Sequence, residues 1–187
     1  MSHSNTQRLT DYWRDRRGLR LAPLRSSVDP CDFADLLPQV FILGRLAAGR
    51  YAFRLRGALL EDLHGRDLKP VDFMSLWSAT DRISLHAAME GAIRNGQALI
   101  VEARGVTESG HSADFEVILA PMISHTDQVD RFLGLLQPVT PLQRLQGETI
   151  TRLNVIQTQV ASDSNSGSAP RLLPSLRLAS VDGRRIA

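Results

Sequence analysis

The residues able to do chemistry in this chain are few and poorly grouped. Its five histidines stand at 3, 64, 86, 111 and 125, and no pair has metal-ligand spacing with a cysteine or carboxylate partner. Gly44 to Gly49 has the glycine separation of a phosphate loop, but Arg50-Tyr51 stands where Lys-Ser/Thr is needed. Because it also lies between two strand-like segments, it reads as a hairpin turn. Cys31 has no cation beside it, so it reads as an ordinary buried or half-buried thiol rather than a nucleophile. Arg16 and Arg20 have an Arg-x-x-x-Arg spacing that could grip a cyclic-dinucleotide phosphate. Without a downstream Asp/Ser/Gly partner on a strand, they read as a solvated helix end. The expectation from these residues is a protein that is not an enzyme.

The bulk properties agree with a small regulatory module. The 187 residues suit one average domain with extensions, and a core of that size folds without metals or disulfides. One cysteine excludes an internal disulfide framework and favours a reducing, cytoplasmic setting. No signal-peptide core and no run of 18 apolar residues is present, which argues against secretion and a membrane span. A net charge of +2 is too small to argue for nucleic acid. Of the 22 basic residues only Lys69 is lysine, a bias that a GC-rich genome explains as well as any anion-binding role.

The elements that would position these residues follow from periodicity. From Thr6 to Arg17, the residues Leu9, Tyr12, Trp13 and Arg16 recur at helical spacing, and Gly18 stops the helix. Asp29-Pro30 starts a short helix ended by Pro38. Val40–Leu46 reads as a buried strand. In Tyr51–Arg56 alternation places Tyr51, Phe53 and Leu55 on one face, and Arg54 and Arg56 on the other, where Asp11 and Asp15 could meet them. Short helical pieces follow at Ala58–Leu63 and Val71–Trp77. Ser78–Asp81 has capping-box spacing before a helix to Asn95, with Leu85, Ala88, Met89, Ala92 and Ile93 as its stripe. Three strands come next, around Leu99–Arg104, Asp114–Leu119 and Phe132–Leu136, the last unbroken enough for the middle of a sheet. Coincidence of apolar faces in the first two predicts Val101 opposite Leu119, Ala103 opposite Val117 and Arg104 opposite Glu116.

This order predicts an α+β fold: a five-stranded antiparallel sheet with helices on one face, preceded by N-terminal helices. The expected organisation is an N-terminal helical extension over 1–37, the sheet domain over 38–140, a C-terminal helix or connector over 141–161, and a flexible serine-rich and leucine-proline tail over 162–187. The helical option for 141–161 rests on Thr149, Leu153, Ile156 and Val160 sharing a face, against many β-branched residues.

The strand–helices–strand order, with FRLRGALLEDLHGRDL at the first sheet-to-helix turn, resembles a PAS domain. More narrowly it is similar to standalone alphaproteobacterial PAS proteins that open with a Tyr-Trp helix. The matching residues are Tyr12-Trp13, Arg20, Pro23, Arg25, Asp29-Pro30, Leu37-Pro38, Phe53-Arg54, Gly57, Gly65, Phe73, Leu76-Trp77, Pro121 and Leu133-Gly134. His64 stands where the pattern has an aromatic. The resemblance covers roughly residues 6–140 and implies a PAS fold with a role in signal input or protein contact. It implies no cofactor, since the family holds haem, flavin, small-acid and ligand-free members. Flavin-adduct chemistry needs a pocket cysteine, and Cys31 precedes the first strand. His86 lies off the apolar stripe, toward the rim, so haem and flavin are both disfavoured and no cofactor is expected.

Two functions of different class fit. The preferred one is a non-enzymatic signalling adaptor acting through protein–protein contacts, as a homodimer or with an unidentified signalling partner. Its expected interface is Leu9, Tyr12, Trp13 and Arg16, with Trp13 buried at or near the contact. The alternative is a small-molecule sensor whose pocket is formed by Phe53, Leu55, Phe73, Trp77, Leu85, Met89 and Val117.

Overall fold

The computed structural model describes residues 2–47, 49–124 and 127–161. The tail expected to be flexible, 162–187, lies outside the described residues. Six strands form one antiparallel sheet in the order β2-β1-β5-β4-β3-β6: β1 (Val40–Ala47), β2 (Arg50–Arg56), β3 (Leu99–Val106), β4 (Ser112–Ile123), β5 (Val129–Pro138) and β6 (Arg152–Val160). Three α-helices accompany it: α1 (Ser4–Arg17), α2 (Ala58–His64) and α3 (Arg82–Asn95). The α+β antiparallel architecture agrees with the sequence reading.

The sixth strand corrects the expected count of five. Residues 141–161 are not a helix: after a single 3-10 turn at Leu142–Leu145 the chain pairs with β3, Leu153 against Gly105 and Val160 against Leu99. The β-branched residues there win because an edge strand lets their stiff side chains lie flat, whereas a helix would crowd them.

The second correction concerns the sheet's other face. On one side α2, α3 and the 3-10 turn Phe73–Leu76 cover a core that includes Phe41, Tyr51, Trp77, Leu85 and Met89. On the opposite side α1 and the 3-10 segment Pro30–Gln39 cover a second core of Leu9, Trp13, Phe33, Leu36, Ile118, Leu133 and Leu135. Burial on both faces explains why β5 reads as a continuous apolar run, and why β4, alternating at its start, is buried without a break from Phe115 to Met122.

Two details of register matter for the site. In the β1–β2 hairpin the pairing shifts between Ile42/Leu55 and Leu43/Phe53, leaving Arg54 as an extra residue on β2. The bulge turns Leu55 away from Phe53, and Leu55 packs with the second core instead. Alternation alone had put both on one face. In the β3–β4 hairpin the partners are Val101↔Val117, Ala103↔Phe115 and Arg104↔Asp114, two residues from the expected pairing. A two-residue slip keeps every side chain on its face, so apolar matching cannot distinguish the two registers. The turn decides: Thr107 N–H closes on His111 O at 2.9 Å, and Arg104 meets Asp114 at 2.7 Å. Arg56 neither stays solvated nor meets the acids of α1: it pairs with Glu61 and Asp67, while Asp11 pairs with Arg14 within α1.

Gly134 on central β5 faces Phe41 so closely that a Cβ there would lie 2.1 Å from the ring. Its missing side chain is what lets the Phe41 ring lie flat on the sheet.

Candidate functional site

The layer between sheet and helices is where a pocket was expected. β1 and β2 project Phe41 and Phe53 into it, β4 adds Val117, and the 3-10 turn brings Phe73 with Trp77 just beyond. α3 contributes Leu85 and Met89, four residues apart and therefore on one face. Six of the seven expected pocket residues thus converge; Leu55 does not, because of the bulge at Arg54.

The rings pack on one another. Phe41 lies 5.8 Å from both Phe53 and Phe73, Phe53 is 6.0 Å from Phe73, and Phe73 is 5.8 Å from Trp77. Most of these contacts are edge-to-face, the arrangement in which aromatic quadrupoles attract. A ligand in this layer would need one of the rings to move. The Trp77 indole N–H is buried with no hydrogen-bond partner among the described residues, a costly state that an acceptor atom placed there would relieve.

At the rim, charged groups gather around Glu90 of α3. Tyr51 Oη donates to Glu90 Oε1 at 2.9 Å, Arg45 donates to the same oxygen at 2.9 Å, and His86 Nε2 lies 3.5 Å away. Burial, and then the bond to Glu90, push the Tyr51 hydroxyl far above its ordinary pKa, so it remains a donor. Beside this group a cleft of about 370 Å³ opens between Gly49, Asp72, Ser75, Arg82 and His86. Its cation is already engaged, since Arg82 donates to the carbonyls of Trp77 and Ser75. His86 therefore sits at the rim, as its place off the apolar stripe predicts.

One constellation is not visible in the sequence because its carboxylate, Glu148, lies 37 residues from His111. Ser109 donates to both oxygens of Glu148 at 2.5 and 2.7 Å, and His111 Nδ1 lies 2.9 Å from Glu148 Oε1. The serine proton is directed at the carboxylate rather than the imidazole, the reverse of what nucleophile activation requires. The hydrogen bonds from Ser109 and then His111 hold the Glu148 carboxyl down to about 2, and the group ties the β3–β4 turn to the segment before β6. Its contribution is complete above the ordinary carboxylate pKa of about 4.3 and is lost as pH falls from there toward 2. We expect the side-chain carboxyl carbon of Glu148, followed by NMR, to titrate near the bottom of that window, well below an ordinary glutamate.

His64 is also buried, with Nδ1 3.2 Å from the Ile150 carbonyl, which requires the proton on Nδ1. Burial lowers its pKa below the ordinary value. The neutral ring thus adds stability that is intact above about pH 6.5 and declines as pH falls. His64→Leu should narrow the difference in melting temperature between about pH 7.5 and pH 5.5; an unchanged difference would assign the acid sensitivity elsewhere.

The expected interface residues divide. Leu9 and Trp13 are each 1% exposed and belong to the chain's own core, with Trp13 Nε1 donating to the Pro121 carbonyl at 2.7 Å. Burial at a contact between chains is therefore not their role. Tyr12 and Arg16 stay at the surface, where Arg16 caps the Tyr12 ring at 5.2 Å and pairs with Asp32. Cys31 is exposed rather than buried, and Asp29 beside it raises the thiol pKa, which opposes thiolate chemistry. Among the described residues no group of three or more metal-ligating side chains occurs, and no helix is long and apolar enough to cross a membrane.

A family model described as PAS domain matches residues 1–137. No curated protein matches the chain. Among solved structures, the LOV protein of Rhodobacter sphaeroides is similar at 15% identity and TM-score 0.45, over 63% of this chain and 72% of that one. A PAS domain from Colwellia psychrerythraea aligns at 17% identity and TM-score 0.45, over 59% and 96%. An RNA-binding Light-Oxygen-Voltage receptor aligns at 19% identity and TM-score 0.47, over 70% of this chain and 38% of its own.

Proposed function

For this chain, which belongs to the PAS domain family, we propose a non-enzymatic signalling adaptor that acts in the cytoplasm through protein–protein contacts, as a homodimer or with a signalling partner. The observation that carries this reading is the ring cluster of Phe41, Phe53, Phe73 and Trp77, which occupies the layer where a resident ligand would sit. No haem or flavin is required by it. Native mass spectrometry of the purified full chain tests the proposal: a whole multiple of the polypeptide mass is expected, with no organic mass added to it.

A second reading, a small-molecule sensor, is favoured by one observation, the unpartnered Trp77 N–H. Its ligand would carry an acceptor atom and sit beside Phe73, Trp77 and Met89. A stoichiometric organic mass retained by the native protein and lost in Trp77→Phe would establish the sensor and overturn the adaptor.

A further inference from the structure

The two edges of the sheet are finished differently. β2 carries Arg50, Arg54 and Arg56, a bulge at Arg54, and a side-chain bond from Tyr51 N–H to Asp72. Such charges block strand addition. β6 carries no charged residue from Leu153 to Val160, and exposes Ile156 at 52% and Val160 at 47%.

The part of β6 that has no edge partner among the described residues can be located by its hydrogen bonds. Its first half is covered, since Ser78 N–H donates to Leu153 O at 2.8 Å and Val155 N–H donates to Asp81 at 2.9 Å. Beyond the irregularity between Gln157 and Val155, Ala161 N–H donates to Ala98 O at 2.8 Å. That bond fixes 98–161, 100–159 and 102–157 as the hydrogen-bonded pairs with β3, and so directs the peptide groups of Thr158 and Val160 away from the sheet. A groove of about 240 Å³ runs along this stretch, walled by Ala88, Gly91 and Ala92 of α3.

We propose that β6 is the homodimer surface of this protein, a second copy adding its own β6 antiparallel about a two-fold axis at Thr158. The inference rests on the proposed homodimer and gives it a location. A second copy is the occupant that fits because the strand is self-complementary. The two-fold places Thr158 opposite Thr158 of the other copy, brings the exposed Val160 of both copies to the new contact with Ile156 at its end, and sets no like charges against each other. It joins the two sheets into one of twelve strands, from six in each copy.

Light scattering on the full chain over a range of concentration is the test. The wild type should give twice the chain mass, and Thr158→Pro, which deletes an outward N–H without touching the β3 ladder, should give the monomer with unchanged circular dichroism. Ile156→Lys, at an exposed position and with folding checked by circular dichroism, should raise the dimer dissociation constant at least tenfold. A dimer that survives both variants folded places the contact on another surface and leaves the adaptor reading standing. A wild-type monomer at all concentrations overturns both the inference and the homodimer, while heterologous adaptor function remains open to pull-down. A monomer that dimerises only when residues 162–187 are deleted means the chain's own C-terminal segment holds the edge, and overturns the inference too.

Discussion

Trp13→Ala should cost about 3–5 kcal/mol, the usual range for deleting a fully buried Trp side chain, and lower the melting temperature by about 6–20 °C. The ring is 1% exposed, and its N–H satisfies the Pro121 carbonyl, which the variant would orphan. Arg17 also lies 5.1 Å over the ring while donating to the Gly96 carbonyl, so the substitution removes the platform beneath that bond as well. Thermal melts followed by circular dichroism check it. A change of less than a couple of degrees would mean α1 is an appendage. Trp13→Phe separates the terms: it keeps much of the packing and loses the hydrogen bond, so it should cost about 1–3 kcal/mol.

Trp77→Ala should be about as severe, again about 3–5 kcal/mol, because Trp77 joins the ring cluster to the first turn before α3. The two tryptophans should part company on conversion to Phe. Since the Trp77 N–H has no partner, Trp77→Phe removes a buried polar group along with its volume, and should be milder than Trp13→Phe. Denaturant melts of the two Phe variants, run side by side, give the comparison. Equal losses would mean that the Trp77 N–H is paired in solution.

What the sequence made legible was whatever repeats with a regular period. Leu85, Met89 and Ala92 mark α3, and the alternation of Leu99, Val101 and Ala103 marks β3, because one neighbour on one side decides each position. The ring residues Phe53, Phe73 and Trp77 were readable as one layer for the same reason. Leu55 was misplaced because a bulge is a break in period two that leaves no mark at the residues flanking it. β6 was hidden by a similar break between Val155 and Gln157, which let Thr149, Leu153, Ile156 and Val160 imitate a helical stripe. Its β-branched content was the better signal. The destination of Trp13 depended on the outer face of β4 and β5 being apolar, and the unbroken hydrophobic run at Phe132–Leu136 already carried that information.

The docking of α1 also sets a timetable for synthesis. His3 binds Glu116, Asn5 binds Gln137, and Trp13 binds Pro121, contacts that span 113, 132 and 108 residues. At about 5–20 residues per second, a ribosome finishes the strands that receive α1 roughly 5–25 seconds after making the helix itself. During that interval Leu9 and Trp13 have no sheet to cover. A helix made that long before the strands it covers is among the last elements to find its place, and in the interval its apolar face is one that a holdase chaperone could cover.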